Sequence, residues 1–173
     1  GMLQRLGVDL IDMGVVRDDP AALEAAFRQA AQDADAVITS GGVSVGEADH
    51  TKQVMKTLGD VLFWRIAMRP GRPMAIGRIT SGGHDAILFG LPGNPVAVMV
   101  TFYAFVRDAL LKLSGVAPVS PLPRFRVPCV TPLKKRPGRS EFQRGVLFHE
   151  NGEWKVRATA SQGSGVLRSM SEA

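Results

Sequence analysis

Asp35-Ala-Val-Ile-Thr39, running without a break into Ser40-Gly-Gly-Val-Ser-Val-Gly-Glu-Ala-Asp49, is the stretch that decides the fold. Its first five residues are a short run of the buried-strand type. The glycines after them end the strand and open a loop that hands over to a helix. Upstream, Asp19 is a good N-cap and Pro20 takes the first helical position, where its missing N–H is not needed. Pro20 to Gln32 sets Leu23, Ala26, Phe27 and Ala30 at helical spacing, so one stripe is buried. Val8 to Met13, an apolar run with polar interruptions, reads as a strand before that helix. Strand, helix, strand with short connections is the pattern of a right-handed crossover, and hence of a parallel sheet.

Further along, the pattern repeats. Asp49 to Leu58 reads as a helix and Asp60 to Met68 as a strand. Met74 to Ile79 and Ala86 to Gly90 are two more β-like runs, split by the turn sequence Thr80-Ser-Gly-Gly-His84. Pro95 to Leu113 is the longest helix, ended by Ser114-Gly115. Pro118, Pro121, Pro123, Pro128, Pro132 and Pro137 then crowd an interval that cannot hold helix. Beyond that boundary, Glu141 to His149 and Trp154 to Thr159 alternate around Glu150-Asn-Gly-Glu153, the signature of a hairpin. The expected architecture is an α/β domain over 1–117, a three-layer, mostly parallel sheet with helices on both faces, followed by a partial small β-domain over 118–173. Met2 to Leu6 resembles the tail of a helix whose preceding strand is absent. A lone hairpin is marginal, so the β-part needs further strands or the α/β domain to pack on.

The chain has 173 residues, 45% hydrophobic and 21% charged, enough for one domain with its own core plus an appendage. Its net charge of +5 is local, for Arg124, Arg126, Lys134, Lys135, Arg136, Arg139 and Arg144 fall in one short interval. The ordinary meaning of such a run is a solvated basic surface. The better functional alternative is an anionic small ligand rather than nucleic acid, because no aromatic residues interleave as a stacking platform. A single cysteine, Cys129, leaves no disulfide framework and no cysteine metal site, and fits a reducing compartment. His50, His84 and His149 lack metal-ligand spacing. The most apolar stretch, Pro95 to Val106, is too short to span a bilayer, and nothing at the N-terminus reads as a signal peptide, so a cytoplasmic protein is expected.

Three loops carry the candidate chemistry. In the first, Gly41, Gly42 and Gly46 turn the chain and expose successive N–H groups at a strand's carboxyl end, and Ser40 and Ser44 add hydroxyls. Together they suit a phosphate-like anion. Its carboxylates, Glu47 and Asp49, have two readings: Asp49 as a helix N-cap, or a Mg²⁺ held by carboxylate and ligand phosphate. The second loop, Arg69-Pro-Gly-Arg-Pro73, frames two guanidinium groups three positions apart on a stiff turn, a preorganised pair for an oxyanion such as phosphate or molybdate. The third, Gly90-Leu-Pro-Gly-Asn-Pro95, feeds the long helix with Asn94 as N-cap. That structural role could be complete, although its amides can also face the strand-end crevice.

SGGVSVGEAD, PGRP and GLPGNP, in this order and with these intervals, resemble the MoeA and gephyrin E-domain family of molybdenum cofactor biosynthesis, as do GRSEFQRG and SQGSG in the β-part. The resemblance covers nearly the whole chain. It implies a Mg²⁺-dependent homodimeric transferase that inserts molybdate into adenylylated molybdopterin and releases AMP, with a molybdopterin adenylyltransferase as a candidate partner. It implies that Asp49 is the catalytic carboxylate and Mg²⁺ ligand. Ser40, Gly41, Gly42, Ser44, Gly46, Glu47, Pro92, Gly93 and Asn94 would bind the pterin substrate, and Arg69, Arg72, Pro73, Arg144 and Ser164 molybdate. Family members usually carry lysines in the PGKP-like turn and a serine after GLPGNPV; this chain has Arg69, Arg72 and Ala97 there. The first strand, the N-terminal domains and the last β-strands of the family pattern are missing, so weak turnover is expected. The alternatives are a MogA- or MoaB-type adenylyltransferase, against which the stretch from Pro118 to Gly165 argues, and a non-catalytic scaffold module.

Overall fold

The computed structural model describes residues 1–43, 50–135, 137–159, 162–163 and 170. Asp19 has an extended backbone, and its carboxylate accepts from Ala22 N at 3.2 Å, starting α1 (Pro20–Asp33) with Pro20 at its head. α1 buries Leu23, Phe27, Ala30 and Ala31, the stripe expected from its spacing with Ala31 in place of Ala26. It leads into β1 (Ala36–Ser40). Then come α2 (His50–Leu58), β2 (Gly59–Arg65), the two-residue β3 (Met68–Arg69), β4 (Pro73–Ser81) and β5 (His84–Leu91). β4 and β5 form a hairpin over Gly82 and Gly83, whose φ of 59° and 79° give the left-handed two-residue turn that matches strand twist.

The main sheet has the order β1-β5-β4-β2. β1 pairs parallel with β5, while β4 is antiparallel to both β5 and β2. β1, β5 and β2 therefore run in one direction and β4 alone opposes them. The mostly parallel sheet expected from the crossovers holds in strand direction, but only one of its three ladders is parallel. The reason is the short links either side of β4, which permit a hairpin and not a crossover.

Side chains of β5 alternate between two cores. Ala86 and Leu88 join Leu23, Phe27, Met55 and Leu58 under α1 and α2. Ile87, Phe89 and Leu91 join Phe102, Val106 and Leu110 on the opposite face. That second face is covered by one helical segment made of α3 (Pro95–Thr101), a π turn (Phe102–Val106) and α4 (Arg107–Leu113). Three layers result, with helices on both faces. A fully buried Leu88 or Phe89 stabilises this arrangement by about 1.5–3 kcal/mol.

Three expected boundaries move. Val8 to Met13 forms no strand, and Leu10, Ile11 and Met13 are exposed; among the described residues it has no ladder partner to take its backbone groups. Met2 to Leu6 is a 3₁₀ turn at Gln4–Leu6, not the last turn of an α-helix. The run from Asp60 to Met68 breaks after Arg65, because Ile66 N donates to Arg72 O at 2.8 Å and closes the arginine turn.

In the C-terminal part, Asn151 (φ 51°) and Gly152 (φ 82°) make the expected turn between β7 (Gly145–Glu150) and β8 (Glu153–Ala158). The chain before them is not one strand. Ser140–Glu141 forms β6, which leaves the hairpin and pairs parallel with β3. Among the described residues no helix is long and apolar enough to cross a membrane.

Candidate functional site

Strand direction brings the three loops to one rim. β1 ends at Ser40 beside Leu91, the end of β5. β2 ends at Arg65 opposite Pro73, the start of the opposing β4. The glycine bend after Ser40, the arginine turn from Ile66 to Arg72 and the Pro92–Asn94 turn thus share the carboxyl edge of the parallel strands, where open α/β sheets take ligands.

The second and third loops meet directly. Arg69, Arg72, Pro73, Pro92, Gly93 and Asn94 line one cavity of about 270 Å³. Arg69 and Arg72 are exposed, and neither is in an ion pair among the described residues. Asn94 Oδ1 accepts from Val96 N at 3.2 Å and Ala97 N at 3.4 Å, so its side chain caps α3 as expected while the residue also lines the cavity. Ala97, where the resembling family has serine, lies in the same lining.

A neighbouring cavity of about 390 Å³ shares Arg69, Pro70 and Gln162 with the first and is lined in addition by Lys134, Glu141 and Arg144. The C-terminal part is attached here by β6: Ser140 N donates to Ala67 O and Phe142 N to Arg69 O, both at 2.9 Å. Arg144, three residues beyond β6, therefore lines the same cavity as Arg69. It is 6% exposed, unlike Arg124, Arg126, Lys134, Lys135 and Arg139 of the same basic interval, which are exposed. Burial holds its guanidinium below the usual arginine range, although an arginine stays protonated at neutral pH.

The glycine bend is placed differently from its expected partners. Ser40, Gly41 and Gly42 line a separate cavity of about 560 Å³ with Met13–Val16, α1 and β1. Gly41 N donates to Leu91 O at 3.0 Å, so Gly41 contributes its turn to the rim and its N–H to the sheet. Gly42 (φ 69°) lies so close to Thr51 that a Cβ would stand 2.5 Å from the threonine methyl, which pins the bend to α2. Ser44, Gly46, Glu47, Asp49 and Ser164 lie outside the described residues. Among those described, no group of three or more His, Cys, Asp or Glu could hold a metal.

Gln162 and Lys134 are among the lining residues that the reading of motifs did not single out. Lys134 looked like any other member of a solvated basic run, and Gln162 has no charge to draw notice. The ladder between β3 and β6, which joins segments about seventy residues apart, helps bring them to Arg69.

Known proteins resemble this chain in sequence and fold. Residues 1–112 match the family model described as a probable molybdopterin binding domain, and residues 126–173 match the MoeA C-terminal region (domain IV). The molybdopterin molybdenumtransferase of Haemophilus influenzae is 44% identical over 164 residues, 94% of this chain and 40% of that protein. Gephyrin of Dictyostelium discoideum is 35% identical over 130 residues, 68% of this chain and 18% of that protein. The crystal structure of a MoeA protein from Pyrococcus horikosii superimposes with a TM-score of 0.75 at 30% identity, covering 99% of this chain and 39% of that one. The chain thus spans about two fifths of the length of the Haemophilus relative. It belongs to the MoeA family and carries that family's molybdopterin-binding domain followed by its C-terminal region.

Proposed function

We propose that this chain serves molybdenum cofactor biosynthesis as the oxyanion-handling part of a molybdopterin molybdenumtransferase. In that reaction molybdate enters adenylylated molybdopterin, the phosphoanhydride to adenylate breaks and AMP leaves. The observation that carries the reading is the meeting of Arg69 and Arg72 with Pro92–Asn94 in one cavity, next to a second that holds Arg144 and Lys134.

Each guanidinium offers a fork of N–H donors that matches a tetrahedral oxyanion. Two of them, three positions apart, branch from a turn whose main chain is closed by Ile66 N to Arg72 O, so the backbone between them is ordered before the ligand arrives. Arg144 is already withdrawn from water, which strengthens any contact its guanidinium makes with a negative charge. The glycine bend, with Ser40, Gly42 and Ser44, is assigned to the pterin phosphate, and Gly46 to its turn. Asp49, with Glu47, is assigned to Mg²⁺, which when bound would neutralise phosphate charge. Arg69, Arg72, Pro73, Arg144 and Ser164 are assigned to molybdate. The units 1–117 and 118–173 are assigned to act together, a reading supported by Gln162 in the lining of the first cavity and by Arg69 beside Arg144 in that of the second, and the working form is assigned as a homodimer. By itself this chain is expected to bind molybdate and to turn over adenylylated pterin slowly.

Isothermal titration with sodium molybdate tests the reading. The wild-type chain should give saturable binding, and Arg69→Ala with Arg72→Ala should weaken it by about a hundredfold, on the order of tenfold for each charged hydrogen-bonding partner. Equal affinity in both proteins would remove the arginine turn from the proposed site.

A further inference from the structure

Gln162 grips Arg144 at both ends. Its Oε1 accepts from Arg144 N at 2.9 Å, and its Nε2 donates to Arg144 O at 2.8 Å, so the carboxamide pairs with the arginine main chain as a neighbouring strand would. The same Nε2 lies 3.0 Å from Thr159 Oγ1 and 3.1 Å from Thr159 O, while Thr159 N donates to Arg144 O at 3.0 Å. The next residue completes the hold, for Arg144 Nη2 donates to Gly163 O at 3.1 Å. Gln162 also lines both cavities of the cleft, with Arg69 and Pro70 as the other shared residues.

A buried arginine helps an oxyanion only if its guanidinium already points where the anion will sit. An arginine side chain left unguided has about 2 kcal/mol of rotamer entropy to lose. Here the main chain of Arg144 is fixed by one carboxamide and one end of its guanidinium by the adjoining carbonyl, so its remaining direction is set from outside the residue. Glutamine suits this task because one planar group carries an acceptor and two donors without charge. A glutamate would keep the bond from Arg144 N but lose the donors to Arg144 O and Thr159. It would also offer the guanidinium a competing anion.

We propose that Gln162 is a positioning residue for the oxyanion site, acting through Arg144; the proposal rests on the molybdate reading given above. It is tested by titrating sodium molybdate into the whole chain at one salt concentration, using wild type, Gln162→Met, Gln162→Glu, Arg144→Ala and the double variant Gln162→Met/Arg144→Ala, with thermal unfolding measured on each. Gln162→Met keeps length and volume, and Gln162→Glu provides a second reading if the methionine variant does not fold. Expected is a loss of about tenfold to a hundredfold in molybdate affinity for each single variant, the range typical of residues that orient a ligand-binding group. The double variant should bind no more weakly than Arg144→Ala, because a residue that works through Arg144 has nothing left to orient once it is gone. Affinity within twofold of wild type in a folded Gln162 variant would overturn the proposal. So would losses that add in the double variant, which would mean direct contact with the anion. Wild-type protein that binds no molybdate would overturn the oxyanion reading itself, and this role with it.

Discussion

The Cγ2 methyl of Thr101 lies 2.6 Å from where a Cβ on Gly71 would stand, so the arginine turn is seated against the helix that the third loop opens. Thr101 is fully buried and donates its hydroxyl to Ala97 O at 2.7 Å, which leaves its methyl facing the turn. Gly71 has φ 100°, a region that side chains rarely occupy. Gly71→Ala therefore meets both a strained backbone and a clash, and should lower stability by about 1–3 kcal/mol while weakening molybdate binding. Thr101→Ser in the same protein removes the methyl and should recover part of both. Thermal unfolding and molybdate titration on the two variants check this.

Asn94 has two duties that substitution can separate. Asn94→Ala removes the acceptor for Val96 N and Ala97 N and should cost about 1 kcal/mol, a fall of about 2–4 °C in Tm for a chain of this size. Asn94→Asp keeps the cap and so should unfold near the wild-type temperature. Its new negative charge faces the cavity of Arg69 and Arg72, and should weaken molybdate binding by about tenfold. A weaker effect from aspartate than from alanine on binding would contradict the electrostatic part of the account.

The ladder between β3 and β6 ties the C-terminal part to Arg69. Replacing Ser140 by proline deletes the donor to Ala67 O and should release that tie at about 1 kcal/mol, with faster amide exchange at Phe142, whose N–H donates to Arg69 O. The main sheet should keep its exchange protection, because none of its ladders includes β6. Unchanged exchange at Phe142 would mean that the two parts are joined elsewhere.

The sequence spoke most clearly where one residue type answers one local demand. Asp19-Pro20 starts α1, Asn151-Gly152 turns the hairpin and Asn94-Pro95 caps α3, each as expected, because capping and left-handed turns are decided within a few residues. What it hid depends on distant partners. Periodicity could not reveal that Val8 to Met13 has no ladder among the described residues, since an apolar run looks the same with or without a neighbour. Nor could it reveal that Ser140–Glu141 leaves the hairpin for β3, or that Gln162 holds Arg144, because those pairings join segments far apart in the chain. The direction of β4, and with it the gathering of three loops at one rim, also follows from pairing rather than from any single motif.

The central claim, that an oxyanion sits between the arginine turn and the Pro92–Asn94 loop, is tested most directly by crystals of this chain soaked in tungstate, a heavy stand-in for molybdate. Anomalous diffraction should give a tungsten peak within hydrogen-bonding distance of the Arg69 and Arg72 guanidinium groups. A peak held instead by the exposed basic residues Arg124, Arg126 or Arg139, with none at the turn, would contradict it.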